Sequence, residues 1–319
     1  MTATADGGAT GNDEHRGPLA GVKVLDLSIA LTGPYAAALL ADQGAEVVKV
    51  ERPGIGDIAR WIGVSVNGMS AFYLACNRGK RCIAVDLGTE EGRAIVLQLA
   101  AEASARLHIV HVSSGRGVAV AAEARARGVD VSIETCPHYL FFVDEDLERL
   151  GAVATCAPPL RSKADQEALW DELEAGRVDI VASDHSPTLP AMKEGDLFAA
   201  WGGIAGVQST LPVLFSGLHA RGLPPTRLAS LLAAAPARRF AIPHKGVIAV
   251  GYDADLVLFD PDERHALRVS DLHHRHQTTP YLNATLRGRV RRTLRRGETI
   301  FLEGQITAQE KGRFVCPTS

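Results

Sequence analysis

The sequence lacks most of the features that would place a protein at a glance. No stretch approaches the ~18 uninterrupted apolar residues that a membrane helix requires, so no membrane partner is expected. None of the cysteines (Cys76, Cys82, Cys136, Cys156, Cys316) forms a CxxC pair. An odd, scattered set in a chain this long reads as reduced thiols in the cytosol. Excess charge is missing too: a formal net charge of −3 gives no electrostatic case for nucleic acid or an acidic membrane. Met1–Arg16 has no apolar core of the kind a secretory leader carries. It is rich in Gly, Ala, Thr and acidic residues, and reads as a disordered tail. Internal repeats are absent.

What is present is the balance of a soluble globular protein. Hydrophobic residues make up 46% and charged residues 22% of 319, enough to bury a sizeable core in two domains, or in one domain with an appendage. VKVLDL (Val22–Leu27) suits a buried strand. Gly33 and Pro34 open a small-residue helix ending near Gly44, and EVVKV (Glu46–Val50) is the next strand, which together make a βαβ unit. Cys82–Leu87 is a further strand, and Thr89 caps a helix running to about Ala103. The alternation continues with strands at Leu107–Val112, Val129–Thr135, Val153–Cys156 and Asp179–Ser183, and with helices at Arg116–Arg127 and Lys163–Ala175. Helix-rich sequence then reaches Phe240. Beyond it, Gly-punctuated short strands (Gly246–Phe259, Leu286–Leu294, Thr299–Phe301) form a separate β module.

Three segments place a possible metal ligand at or just after a strand's C-terminal end, where a (β/α)8 barrel carries its catalytic groups. In LHIVHVSS, side chains alternate, so only one of His108 and His111 can point inward. In IETCPHYL, His138 follows the strand and Pro137 stiffens its approach. In IVASDHSP, Asp184 ends the strand just before His185. Singly, each is better read as a satisfied histidine or a turn-capping aspartate. Together, on three strands of one βα series, they point to a site for Zn²⁺, which imidazole and carboxylate suit.

IVHVSS, ETCPHYL, CAPPLR and SDHSP, in this order and spacing, resemble the allantoinase, dihydropyrimidinase and dihydroorotase branch of the cyclic amidohydrolases. GVIAVGYDADLVLFDPD resembles the β-sandwich segment after the barrel in that family, and HHRHQTTPY with LRGRVRRTLRRGE is most similar to allantoinase. The resemblance covers roughly Leu107–Phe314. It implies hydrolytic opening of a cyclic amide or ureide ring, with His111 and His138 holding one metal of a binuclear centre. Asp184 would bind the other metal and take a proton from the attacking hydroxide. The loop carrying Pro158, Pro159 and Arg161 would lie near the substrate. The resemblance also implies an HxH pair and a carbamylated lysine upstream of IVHVSS. No HxH occurs there; the one in the chain is His274-Arg275-His276. At most one weakly held zinc or other divalent ion is therefore expected.

Pro18–Ala103 is similar instead to the N-terminus of the class III CoA-transferases, through PLAGVKVLDLS, GPYAAALLADQGAEVVKVERPGIGD and AFYLACNRGKRCIAVDLGTEEGR. That resemblance implies a Rossmann-like unit facing a CoA nucleotide, with Arg52 as a CoA contact. The family's lysine after the third strand is Gly88 here, and its catalytic aspartate lies beyond the matching stretch. CoA is therefore not the expected cofactor, and Arg52, Arg78, Lys80 and Arg81 read as a solvated basic loop. The switch near Ala100–Ala105 suggests a chimera.

The expected architecture is α/β: an incomplete (β/α)8 barrel with a C-terminal β module and an N-terminal Rossmann-like βαβ unit. Its domains would be a tail at 1–17, the CoA-transferase-like unit at 18–103, half a barrel at 104–245 and a partial sandwich at 246–319. The expected activity is allantoinase-like hydrolysis, with the chain truncated and inactive alone. The alternatives are a CoA-binding fragment and a non-enzymatic remnant. Half a barrel also has open edges, so an exposed inner face at Ile109, Val131 and Ile133 is expected to drive homo-oligomerisation or aggregation. Six arginines in Arg287–Arg296 read as a solvated strand face, not a nucleic-acid site.

Overall fold

The computed structural model describes residues 17–102, 106–308, 312, 313 and 315. The tail at Met1–Arg16, most of the switch near residue 104, and Cys316 lie outside these residues. The chain divides into two compact units, Met1–Leu107 and His108–Ser319.

In the first unit, strand β1 (Lys23–Asp26) leads through helix α1 (Thr32–Asp42) to β2 (Glu46–Glu51). Four of the eleven residues of α1 are Ala, and Ala37 is buried beside Val47 and Ala45. Gly44, at φ 96, makes the left-handed turn into β2 that a side chain would resist. β3 (Ser65–Val66) and β4 (Met69–Ser70) form a hairpin whose Asn67 and Gly68 both have positive φ, the twist a two-residue turn needs. Ser70 caps α2 (Ala71–Asn77). β5 (Arg81–Ala84) then pairs parallel with β2, giving the order β1-β2-β5. Helix α3 (Glu90–Glu102) follows, with the Thr89 hydroxyl accepting from the Gly92 amide at 3.0 Å.

This small sheet is organised around buried charge. Lys49 on β2 is fully buried, with its ammonium 2.8 Å from Asp57 and 3.7 Å from Asp26. Lys80, also buried, reaches Asp26 at 2.7 Å and donates to the Pro34 carbonyl. Arg78 pairs with Asp42 and Arg81 with Glu46. The solvated-loop reading is corrected at Lys80, which closes an internal ion network, while Arg52, Arg78 and Arg81 remain largely exposed.

In the second unit, β6 (Leu107–Ile109), helix α4 (Gly115–Ala126) and β7 (Val131–Thr135) are followed by the short helices α5 (Pro137–Phe141) and α6 (Asp146–Leu150). Helix α7 (Lys163–Glu174) and β8 (Ile180–Val181) complete a three-stranded sheet of order β6-β7-β8, in which β7 and β8 are parallel. The strands are shorter than the sequence predicts. β6 ends at Ile109 and β8 at Val181, and the left-handed residues His111 (φ 43) and Asp184 (φ 42) follow them outside the strands. No strand forms at Val153–Cys156. Gly151, at φ 65, closes α6 and the chain makes a 3₁₀ turn over Gly151–Ala154.

Val118, Ile133, Leu169, Leu218 and Leu286 are completely buried in one core with Trp170 and Tyr281. Val131 and Ile133 are 5% and 0% exposed, while Ile109 is 40% exposed. The apolar face expected to drive association is therefore largely covered by the unit's own helices. Helix α8 (Thr210–Ala220) and the short turns α9 (Thr226–Ala229) and α10 (Ala235–Arg239) lead to an antiparallel sheet. Its strands are β9 (Leu256–Ala266), β10 (Thr285–Arg295), β11 (Glu298–Leu302) and β12 (Gln305–Ile306), in the order β12-β11-β10-β9. Phe215 of α8 meets Phe259 of β9 edge to face at 4.9 Å. The arginines of β10 pair across the strands, Arg287 with Asp262, Arg289 with Glu263, and Arg291 with Asp260 and Glu303. Cross-strand ion pairs thus engage these three of the six arginines in that run. No helix among the described residues is long and apolar enough to cross a membrane.

Candidate active site

His111, His138 and Asp184 each lie just past the end of a strand, in the order β6, β7 and β8. His111 and Asp184 both hold left-handed backbone, at φ 43 and 42. Such strain in a non-glycine residue costs on the order of 1–3 kcal/mol and is concentrated at functional positions. His138 sits in the first turn of α5 behind Pro137, whose fixed φ suits a helix start.

His138 is the most unusual group. It is 1% exposed, and neither ring nitrogen has a hydrogen-bond partner. A buried, unpaired imidazole forfeits the hydrogen bonds that water would give it. Burial, reinforced by nearby His111, lowers its pKa to about 3, so it is neutral at physiological pH, the form that ligates metal. Asp184 is exposed, and its charge reaches Cys136, whose thiol is pushed far up by burial first and by Asp184 second. The Tyr139 ring lies 4.2 Å from that of His138, and its hydroxyl donates to the Pro158 carbonyl at 2.8 Å. Arg161 donates to the Ser113 hydroxyl at 3.1 Å. The CAPPLR loop is thereby pinned to the segments after β6 and β7.

His108 takes the ordinary role. Its ring bonds Ser132 at 2.7 Å and Glu134 at 3.2 Å, and meets Phe240 edge to face. Among the described residues, no three His, Cys, Asp or Glu side chains are grouped closely enough to hold a metal ion. The orphaned nitrogens of His138 fit a metal ligand; the number of gathered donors does not.

Sequence reasoning missed two nearby features. Lys193 donates to Thr155 at 2.9 and 3.0 Å, and burial lowers its pKa to about 8. His274 has both ring nitrogens buried without partners, and its ring lies 6.0 Å from that of His185. Nothing in the spacing of HHRHQTTPY marks His274 as the buried one. A cavity of about 680 Å³ is lined by His274 together with Pro212, His265, Leu267, Val290 and Phe301.

In the first unit, Arg52 is exposed and lines two cavities of about 430 and 290 Å³. Gly88 borders the smaller one. Beside them, Glu51 accepts from Arg60 at 2.6 Å and from the Tyr73 hydroxyl at 2.5 Å. Burial opposes its ionisation, but these donors outweigh it and bring its pKa to about 2.

The second unit carries metal-type ligand positions on successive strands of one sheet, and comparison with known proteins agrees with its motifs. An allantoinase from Rubrobacter xylanophilus is 58% identical over 228 residues, which is 71% of this chain and 50% of that protein. One from Solibacter usitatus is 56% identical over 221 residues, 69% of this chain and 48% of that protein. Over about 70% of its length this chain is thus similar to allantoinases. It spans about half the length of these relatives. Among solved structures, L-hydantoinase (dihydropyrimidinase) from Arthrobacter aurescens matches with a TM-score of 0.71 at 26% identity, covering 92% of this chain and 67% of that one. Dihydropyrimidinase from Brevibacillus agri matches at 0.66 and 26%, covering 89% and 64%. These neighbours share the α/β architecture of the barrel amidohydrolases. The profile of CoA-transferase family III matches residues 19–114, so the N-terminal segment is related to a different family.

The depressed His138 pKa sets a pH dependence. The unfolded chain takes up this proton near pH 6.5, whereas the folded chain resists until about pH 3. Between those values the unfolded state binds more protons, so stability falls as pH is lowered through that window. Urea unfolding of the wild type and of His138→Leu should give curves that diverge below pH 6.5, with the variant less acid-sensitive by on the order of a few kcal/mol. Parallel pH profiles would contradict the burial of a neutral imidazole.

Proposed function

We propose that residues 104–245 are half of an amidohydrolase (β/α)8 barrel and 246–319 part of its β-sandwich, joined to a CoA-transferase-like unit at 18–103. In this reading the chain derives from a cytoplasmic, metal-dependent hydrolase that opens a cyclic amide or ureide ring, and it is a chimera. His111, His138 and Asp184 are its share of the ligands for zinc or another divalent ion, with Asp184 also the catalytic base. Such an ion, when bound, lowers the pKa of water and polarises the amide carbonyl. The observation that carries the reading is His138, buried and neutral with both ring nitrogens unpartnered, between two neighbours in left-handed backbone.

In this reading the chain alone binds weakly and does not turn over substrate, which agrees with the few donors gathered among the described residues. The alternative reading makes Arg52 the CoA contact, supported by the cavities it lines and by the N-terminal similarity. Association through the open strand edges gives a homo-oligomer or aggregate. Equilibrium dialysis against zinc followed by elemental analysis tests the site. At most one ion per chain is expected, lost in His138→Ala and weakened in Asp184→Asn. Two tightly held ions, or uptake indifferent to both substitutions, would overturn it.

A further inference from the structure

Asp184 holds left-handed backbone at φ 42, a conformation that a non-glycine residue keeps only where its surroundings over-determine it. Here the surroundings are a closed loop. His185 forms an isolated β-bridge with Ile204, and the Ser186 amide donates to the Ile204 carbonyl at 3.0 Å. These contacts close residues 186–203 into a loop whose neck begins directly after Asp184. Within it the Trp201 amide donates to the Met192 carbonyl at 2.9 Å, and the Trp201 indole donates to the Ser186 hydroxyl at 3.2 Å. Gly203 lets the two sides of the neck approach, because a Cβ there would run into the Ser186 hydroxyl and the Trp201 indole nitrogen. The tip is loose by contrast, with Leu189 and Leu197 exposed and Phe198 entirely so.

One residue outside the loop ties the neck down. The Thr155 hydroxyl has the Ala152 and Trp201 carbonyls as acceptors at 2.8 and 2.9 Å, and it accepts from the Lys193 ammonium at 3.0 Å. Lys193 also donates to the Thr155 carbonyl at 2.9 Å. Lys49, Lys80, Lys163 and Lys245 each face a carboxylate, whereas Lys193 hydrogen-bonds Thr155 alone among the described residues. A partly buried ammonium without a counter-charge is costly, so stability alone would favour an apolar side chain there. The charges of Lys193 and Asp184 both act on the thiol of Cys156, the next residue after Thr155, which places the junction beside the candidate base. We propose that Thr155 and Lys193 are positioning residues for Asp184: their junction keeps the neck of the 186–203 loop closed, and the closed neck holds the Asp184 backbone in its left-handed turn. The inference rests on the reading of Asp184 as ligand and base given above. Neither residue acts on substrate; each acts through the group it holds, as the outer partners of a metal site do.

Hydrogen exchange of the full chain without metal, read by mass spectrometry, tests this with three variants. Thr155→Val keeps the shape and removes the hydroxyl, Thr155→Ser keeps the hydroxyl, and Lys193→Met keeps an apolar stem and removes the ammonium. The Val and Met variants should speed exchange in peptides covering 183–186 and 201–204 by roughly tenfold or more. Exchange in the buried strand β7 should not change, and Thr155→Ser should restore the wild-type rates. Zinc affinity, measured separately by equilibrium dialysis, should fall about tenfold in Thr155→Val and return in Thr155→Ser. Unchanged exchange at the neck would overturn the proposal, and so would acceleration spread evenly over the second unit, the mark of a merely structural role. Faster neck exchange with zinc affinity untouched would overturn it as well. If the wild type takes up no zinc while the neck results hold, the metal reading alone falls and the positioning of Asp184 stands.

Discussion

Given zinc and allantoin, the purified chain should release product at the buffer background, at least roughly 10⁴-fold below a full-length relative. Ring opening needs an activated water and a polarised carbonyl held together in one geometry. This chain offers a neutral buried His138, a nearby His111 and an exposed Asp184. It gathers no group of three donors among its described residues. Groups that act as a unit do not contribute in proportion: losing part of such a set costs nearly as much as losing all of it. CoA transfer fails for a related reason, because it needs a carboxylate nucleophile to carry the acyl group. The aspartate that serves there lies outside the matching N-terminal stretch. A steady-state assay decides the matter. Metal-dependent turnover that disappears in Asp184→Asn would contradict the account, and so would a covalent CoA-thioester adduct.

Lys49→Ala should destabilise the N-terminal unit by about 3–5 kcal/mol, the cost of removing one partner from a buried ion pair. The ammonium it deletes is fully buried and faces two carboxylates. Asp57 keeps its backbone donors, the amides of Ala30 and Ala59 at 2.9 Å, but loses its counter-charge. Asp26 keeps Lys80. Asp57 therefore suffers most, and Lys49→Ala combined with Asp57→Asn should recover part of the loss. Differential scanning calorimetry of the whole chain should show one transition, that of the first unit, moving down while the other stays in place. A shift small enough for a surface pair, about 1 kcal/mol or less, would mean that the network is solvated.

The elements were largely legible because each has a local cause. β-branched runs mark β1, β2 and β7, Thr89 and Ser114 cap their helices, and alternation along LHIVHV separated His108 from His111. What escaped depends on contacts distant in sequence. Nothing local shows that Lys80 turns inward to Asp26, fifty-four residues away, or that helices cover Val131 and Ile133. The strand expected at Leu107–Val112 could not have run through His111, whose left-handed backbone nothing local announces. The candidate site was legible as motifs, and the missing HxH pair was legible too; that both His138 ring nitrogens are buried without partners was not.

The most direct test of the account is the anomalous diffraction of zinc-soaked crystals. The account predicts one partially occupied peak beside a His138 ring nitrogen, with His111 or Asp184 as its neighbour. A peak elsewhere, such as between His185 and His274, or a fully occupied metal pair at His138, would contradict it.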